Sequence, residues 1–120
     1  MNAKDTAVKF LNMVVAGKID EAYDKYVNKN GKHHNVYFPS GFSSLMDAMK
    51  LNHKEFPDKL LEIKNTIAED NFVATHSKIV IGEKEIAVVH LFRFEDGKII
   101  EMWDVGQEIP KELPNIDGAF

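Results

Sequence analysis

Two ionisable side chains stand in stretches of sequence that are otherwise apolar. Asp104 lies between Trp103 and Val105, and His90 lies within the apolar run 86–92. An ionised carboxylate without partners is costly in such surroundings and takes up a proton more readily there. This behaviour suits a general acid or base that works near neutral pH. Asp104 and His90 are therefore the candidate catalytic residues.

Both residues also have ordinary structural interpretations. In these, Asp104 ends its strand near solvent or pairs with Arg93 or Lys98. His90 is then a core histidine that donates a hydrogen bond to a backbone carbonyl. Catalysis requires instead that the carboxylate and the imidazole share one pocket.

The turn between the two strands decides whether His90 and Asp104 share a face of the sheet. A two-residue loop at Asp96 and Gly97 places His90 opposite Trp103 and turns Asp104 to the other face. A three-residue loop with a glycine bulge places His90 opposite Met102 and brings Asp104 to the same face. Composition allows both registers, and only the second predicts a catalytic pair.

Further side chains are candidates for binding a ligand in this pocket. His76 lies on the neighbouring strand, and His33 and His34 lie on a short extended segment where successive side chains point to opposite sides. Only one of the latter two can enter a pocket, and we expect this to be His34, with His33 facing solvent. The apolar walls that hold the ligand and exclude water are predicted to include Phe92, Met102 and Trp103.

The sequence predicts neither a metal site nor an organic cofactor. The histidines and Asp104 are suitable ligand types for zinc or iron, but no two histidines have the usual local spacing of a metal site. The chain has no cysteine and no Gly-x-Ser-x-Gly nucleophile motif. Gly41 and Gly82 stand alone and form no phosphate-binding loop.

Composition narrows the class of protein further. The chain has 120 residues, of which 44% are hydrophobic, and its formal charge of −4 comes with no basic run. This balance predicts one globular domain and no binding to nucleic acid or to an anionic membrane. Charged residues interrupt the first sixteen positions, and no segment approaches the ~18 apolar residues of a membrane span. We expect a cytoplasmic protein.

Helical spacing of apolar residues predicts three helices in the first half of the chain. The first covers about 3–16 with Asn2 as its cap, and the second is capped by Asp20 and ends at a polar turn over 28–31. The third begins at Ser44 and ends before Pro57. The helical part thus covers about 1–57.

The period of the apolar residues changes to two in the second half, which predicts four strands. These cover about 59–67, 72–81, 85–94 and 99–106, and residues 107–120 form an extended tail. Short connectors make successive strands antiparallel neighbours. Helices followed by a meander at about 59–106 predict a single α+β domain.

The predicted sheet is apolar on both faces, which determines how it must pack. Three helices on one face of a strongly bent sheet would enclose a cavity in a cone-shaped barrel. No helix remains for the other face, so we expect a second copy of the sheet to cover it. The predicted partners are therefore a small apolar molecule and a second copy of the chain.

The sequence resembles the SnoaL-like polyketide cyclase group of the nuclear transport factor 2-like superfamily. The resemblance covers nearly the whole chain and is carried by residues 10–11, 17–23, 87–94, 96–99, 101–107 and 115–120. It implies a cone-shaped, usually dimeric α+β barrel with a ligand pocket between sheet and helices. Cyclases of this group perform an intramolecular aldol condensation without a metal or an organic cofactor.

The resemblance also implies roles for individual residues. The acid/base aspartate of the cyclases matches Asp104 and the supporting histidine matches His90, which favours the bulged register. His34 and Asn35 resemble the family's His-Asn-Pro element, with Val36 in place of the proline.

Three functions are compatible with these residues. The first is acid/base catalysis on a small apolar carbonyl compound, by aldol condensation, cyclisation or isomerisation. The second is non-catalytic binding or carriage of such a molecule. The third is hydrolysis or hydration by a water that the same pair activates.

Overall fold

The computed structural model describes residues 1–120 and has three helices and one five-stranded sheet. The α+β prediction is confirmed. In chain order the elements are α1 (Ala3–Val15), α2 (Ile19–Tyr26), β1 (Val27–His34), α3 (Phe42–Glu55), β2 (Leu60–Glu69), β3 (Phe72–Ile81), β4 (Lys84–Glu95) and β5 (Lys98–Glu108). The sheet is curled, and the order of its strands is β1-β5-β4-β3-β2.

The helices begin and end where local chemistry allows. Asn2 caps α1 as predicted, because its side chain accepts a hydrogen bond from the backbone N–H of Asp5 at 2.8 Å. Gly17, with φ of +90°, lets the chain turn away after this helix. The cap predicted for the second helix at Asp20 is wrong, and the third helix begins at Phe42 and not at Ser44. Lys18 precedes α2 and Gly41 precedes α3, and neither helix has a side-chain cap.

The polar turn predicted at residues 28–31 is wrong, because these residues lie in β1. This strand pairs in parallel with β5 at the edge of the sheet, with an irregularity between Val27 and Lys32. An edge strand exposes much of its length to solvent, so its sequence lacks a clear apolar pattern. The meander of β2 to β5 is observed as predicted and is extended by this parallel strand.

The helices cover one face of the sheet, which we call the inner face. Phe10 of α1 lies edge-on to Tyr23 of α2, with ring centroids 5.1 Å apart, and edge-on to Phe92 of β4 at 6.1 Å. All three aromatic rings are buried in one apolar core. This packing attaches the first two helices to the middle of the sheet.

The opposite face of the sheet, the outer face, carries no helix. Its apolar side chains remain partly or largely exposed, among them Leu60, Ile67, Phe72, Val89 and Val105. The tail from residue 109 onward contains no helix or strand, as predicted, and its last residue, Phe120, packs against His76 on this face. None of the helices is long and apolar enough to cross a membrane.

Candidate functional site

The turn between β4 and β5 has the shorter of the two predicted loops. Asp96 and Gly97 both have positive φ, of 52° and 78°, as a tight two-residue hairpin turn requires. Glu95 accordingly pairs with Lys98. If the two strands paired regularly beyond this turn, His90 and Asp104 would lie on opposite faces of the sheet.

A β-bulge corrects the register one step beyond the turn. Phe94 pairs with Ile99, but the next pair is Arg93 with Glu101, so Ile100 is the extra residue. As a result His90 lies directly opposite Asp104. Neither predicted register is therefore observed, although the shared face that the bulged register predicted is present.

The next pair on the same face of the two strands is apolar. Phe92 lies opposite Met102, and both side chains are buried on the inner face. The imidazole of His90 stacks on the Phe92 ring, with centroids 5.9 Å apart and planes inclined by 16°. Two of the predicted wall residues thus adjoin the His90–Asp104 pair.

Asp104 is half-buried and has a partner that the sequence did not reveal. The Nδ2 of Asn35 donates a hydrogen bond of 2.6 Å to Oδ1 of Asp104. Asn35 is itself held, because its Oδ1 accepts a 2.7 Å hydrogen bond from the backbone N–H of Tyr37. The carboxylate therefore has one oxygen oriented by an amide. The only available signal for Asn35 was its place in the element that resembles the family's His-Asn-Pro.

The environment of His90 favours the neutral imidazole. Burial lowers the pKa of His90 from its ordinary 6.5, and the nearby charge of Asp104 opposes this shift only in part. Its Nδ1 is buried and has no hydrogen-bond partner in the chain. A neutral imidazole next to a carboxylate can donate or accept one proton toward a bound molecule.

Tyr23 of α2 is a second residue near Asp104, and the sequence analysis did not identify it as part of the site. Burial raises the pKa of Tyr23 well above its ordinary value, and the charge of Asp104 raises it further. Its ring packs edge-on against Phe42 as well as against Phe10. The phenol is therefore held protonated on the helical side of the site.

Two predicted binding residues, His34 and Trp103, lie on the outer face. Trp103 pairs with Leu91, one position away from the His90–Asp104 pair, and successive side chains alternate between faces. His34 stacks on Trp103 with centroids 5.1 Å apart. The expectation that His34 enters the pocket while His33 faces solvent is wrong, since His33 is buried, with Nε2 3.0 Å from the carbonyl of Pro39.

His76 also lies on the outer face, away from the catalytic candidates. Its Nδ1 is 3.2 Å from Nδ2 of Asn65, and its ring packs 5.5 Å from that of Phe120. The structure therefore brings together His90, Asp104, Phe92 and Met102, and separates them from His34, His76 and Trp103.

One interpretation of the sequence paired Arg93 with Asp104, but in the structure Arg93 pairs with Glu101 instead. Its Nε and Nη2 each lie 3.0 Å from Oε1 of Glu101, whose Oε2 lies 2.7 Å from Nε2 of His34. The hydrogen bond from His34, with help from Arg93 and Lys32, holds the pKa of Glu101 below its usual range. This cluster ties β1 to β4 and β5 on the outer face.

Two surface clefts lie elsewhere. One of about 280 Å³ is lined in part by Met1, Asn71 and Gly97, and one of about 220 Å³ in part by Phe56 and Lys59. Neither is lined by His90 or Asp104. No three His, Cys, Asp or Glu side chains are grouped so that they could hold a metal ion.

The SnoaL-like domain matches the chain over residues 7–102. This match covers most of the chain, which therefore belongs to the SnoaL-like family. It ends two residues before Asp104, so the interpretation of that residue depends on the geometry of the site. A search of curated proteins finds no match.

Solved structures show the same fold at low sequence identity. A SnoaL-like polyketide cyclase from Agrobacterium tumefaciens is 18% identical, with a TM-score of 0.74 over 89% of this chain and 92% of that one. IdmH from Streptomyces antibioticus, a proposed polyketide cyclase, is 15% identical, with a TM-score of 0.71 over 88% and 93%. A nuclear transport factor 2-like protein of unknown function from Cytophaga hutchinsonii is 18% identical, with a TM-score of 0.73 over 89% and 91%.

Proposed function

We propose that this protein is a cofactor-independent acid/base enzyme that acts on a small apolar carbonyl compound. The observation that carries the proposal is the direct pairing of His90 with Asp104 on the inner face, beside buried Phe92 and Met102. Two comparisons support this class of chemistry. The chain belongs to the SnoaL-like family, and a SnoaL-like polyketide cyclase has the same fold.

Asp104 acts as the base in this proposal. Asn35 occupies Oδ1, which leaves Oδ2 free to take a proton from the carbon next to the substrate's carbonyl. The electron pair of the broken C–H bond moves into the enolate. His90, which burial keeps neutral, donates a hydrogen bond to the oxygen on which the negative charge develops.

The fate of the enolate defines the overall reaction. Attack on a second carbonyl of the same molecule forms a carbon–carbon bond, and the alkoxide that this leaves takes back the proton held by Asp104, which completes an aldol cyclisation. Return of the proton to another carbon gives an isomerisation instead. Both begin with the same proton abstraction, and the apolar neighbours of the pair favour this step by excluding water.

Exchange of hydrogen for deuterium at the carbon next to a carbonyl tests the proton abstraction directly. We expect the protein to catalyse this exchange on cyclohexanone in deuterated buffer. Asp104→Asn should lower the rate by about 100-fold or more while changing binding little. His76→Gln, an outer-face substitution, is the matched control and should retain the rate.

The alternatives predict different results in the same experiment. A carrier would bind the ketone without catalysing exchange, and a hydrolase or hydratase would act through a water and leave the carbon-bound protons in place. Equal exchange by the wild type and by Asp104→Asn would contradict the proposal.

We also propose that the protein works as a homodimer through the outer face. Val89 and Val105 pair across β4 and β5 on this face, and both are substantially exposed. Leu60 and Ile67 of β2 and Phe72 of β3 are further exposed apolar side chains on this face. Exposed apolar patches on a sheet face are typical of an interface, and a second copy presents the same patches.

A further inference from the structure

Polar atoms without partners are concentrated on one part of the inner face. Four buried side-chain atoms lack a hydrogen-bond partner, and three of them belong to Thr75, Ser77 and His90. Thr75 lies directly opposite His90 on the neighbouring strand, and Ser77 follows two residues later on the same face. The two hydroxyls therefore adjoin the His90–Asp104 pair, but the proposed proton transfer does not use them.

These hydroxyls are unusual for their position. Thr75 and Ser77 are completely buried, and their inner-face neighbours Val73, Val88 and Phe92 are apolar. Valine has nearly the shape of threonine and would fill the same space without leaving a hydroxyl unpaired. Buried polar groups in folded proteins nearly always have a partner. Neither hydroxyl has a partner within the chain, so each is available to a partner from outside it.

We propose that Thr75 and Ser77 form a second polar subsite, which binds a neutral hydroxyl or carbonyl oxygen of the ligand whose reacting carbonyl lies at His90 and Asp104. A hydroxyl both donates and accepts, so it suits either kind of oxygen. The inner-face positions of β3 and β4 around the subsite carry no lysine or arginine, and the carboxylate of Asp104 repels an anion. The ligand is therefore uncharged at its second oxygen.

The strand geometry sets the spacing of the two oxygens. Residues two apart on one face of a strand are separated by roughly 6 to 7 Å. Thr75 adjoins His90, so Ser77 lies about one such step from the reacting carbonyl. This subsite rests on the proposed function, because it takes the His90–Asp104 pair as the place of the carbonyl. 4-Hydroxycyclohexanone, whose two oxygens lie at opposite ends of one small ring, is a suitable probe.

The test compares the affinities of two ketones of similar size by NMR chemical-shift titration. The wild type should bind 4-hydroxycyclohexanone about 3- to 10-fold more tightly than 4-methylcyclohexanone. Ser77→Ala and Thr75→Val should each reduce this ratio toward one, while Thr75→Ser, which keeps the hydroxyl, should preserve it. Val88→Ala, opposite Ser77, is the apolar control and should change both affinities equally. Thermal melts of Ser77→Ala should match the wild type, because the hydroxyl has no partner in the chain.

Equal binding of the two ketones by the wild type, or a ratio unchanged in both Ser77→Ala and Thr75→Val, would overturn the subsite. The hydroxyls would then bind only a trapped water. Deuterium exchange on cyclohexanone is measured in parallel and reports on the proposed function alone. If the wild type prefers 4-hydroxycyclohexanone but catalyses no deuterium exchange, the subsite is supported and the proposed acid/base function is contradicted. If it catalyses exchange but binds both ketones equally, the function is supported and the subsite is contradicted.

Discussion

At the scale of single residues, the site depends on one amide that orients one carboxylate. Asn35 holds Oδ1 of Asp104 and is itself held by the backbone N–H of Tyr37, so the direction of the free oxygen is set before any ligand arrives. Proton transfer depends steeply on such alignment. Asn35 is therefore a positioning residue, and its contribution should appear in the rate of catalysis more than in affinity.

We expect Asn35→Ala to lower the rate of deuterium exchange by roughly 10- to 100-fold, with affinity for cyclohexanone changed little. Asn65→Ala, which removes an amide that contacts His76 on the outer face, is the matched control. Exchange kinetics at saturating ketone check this. A normal rate in Asn35→Ala would show that the amide does not position the base.

The lowered pKa of His90 predicts how stability depends on pH. Between the folded-state pKa and the unfolded value of 6.5, only the unfolded chain takes up a proton at this residue. Acidification below pH 6.5 should therefore destabilise the fold, by at most about 1.4 kcal/mol per pH unit from this residue. Urea unfolding between pH 5 and 7 measures the slope. His90→Gln should flatten the slope, and an equal slope in this variant and the wild type would disprove the assignment.

At the scale of elements, the sequence correctly predicted the helices and strands whose patterns depend on residues close together in the chain. Strands β2 to β5 were found from the period of two in their apolar residues, and α1 was found from its apolar stripe and from its cap at Asn2. The edge strand β1 was missed because its pairing partner, β5, lies far along the chain. The register at His90 was missed for a related reason, because the bulge at Ile100 lies beside β1 and outside the turn.

Gly31 shows why the bulge and the edge strand depend on each other. A Cβ at this position would collide with the backbone carbonyl oxygen of Ile100, so only glycine allows β1 to approach the bulge. Asn35, shortly after the end of β1, reaches Asp104 only if this approach is kept. The hydrogen bond from Asn35 to Asp104 therefore depends on the absence of a side chain at Gly31.

We expect Gly31→Ala to lower the free energy of unfolding by about 1 to 3 kcal/mol, because backbone must move to relieve the collision. It should also slow deuterium exchange, since Asn35 moves with β1. Gly106→Ala is the control within the sheet, because its added Cβ has no neighbour nearer than 3.5 Å and should change stability by less than about 1 kcal/mol. Urea unfolding of the three proteins checks this, and equal stability of Gly31→Ala and the wild type would contradict the close approach.

At the scale of the whole molecule, the two faces of the sheet have different tasks. The inner face packs under the helices and carries the His90–Asp104 pair, whereas the outer face carries His34, His76 and Trp103 among apolar residues. The sequence distinguished these two sets poorly, because a shift of one residue in register exchanges the faces. In the proposed dimer, Trp103 and its neighbours pack against the partner and not against a ligand.

We expect the wild type to sediment as a dimer at micromolar concentration. Val105→Lys should weaken the dimer by at least about tenfold, because a charge in an apolar interface must be desolvated. Ile116→Lys, on the tail and almost fully exposed, is the control and should leave the dimer intact. Sedimentation equilibrium measures both variants. A single-chain mass for the wild type would contradict the proposed interface.

The most direct test of the whole account is an NMR titration of the His90 imidazole in the wild type and in Asp104→Asn. The carboxylate of Asp104 opposes the effect of burial on His90, so its removal should lower the pKa of His90 further below 6.5. An imidazole that titrates identically in the two proteins would show that the residues do not face each other, and the proposed chemistry would lose its basis.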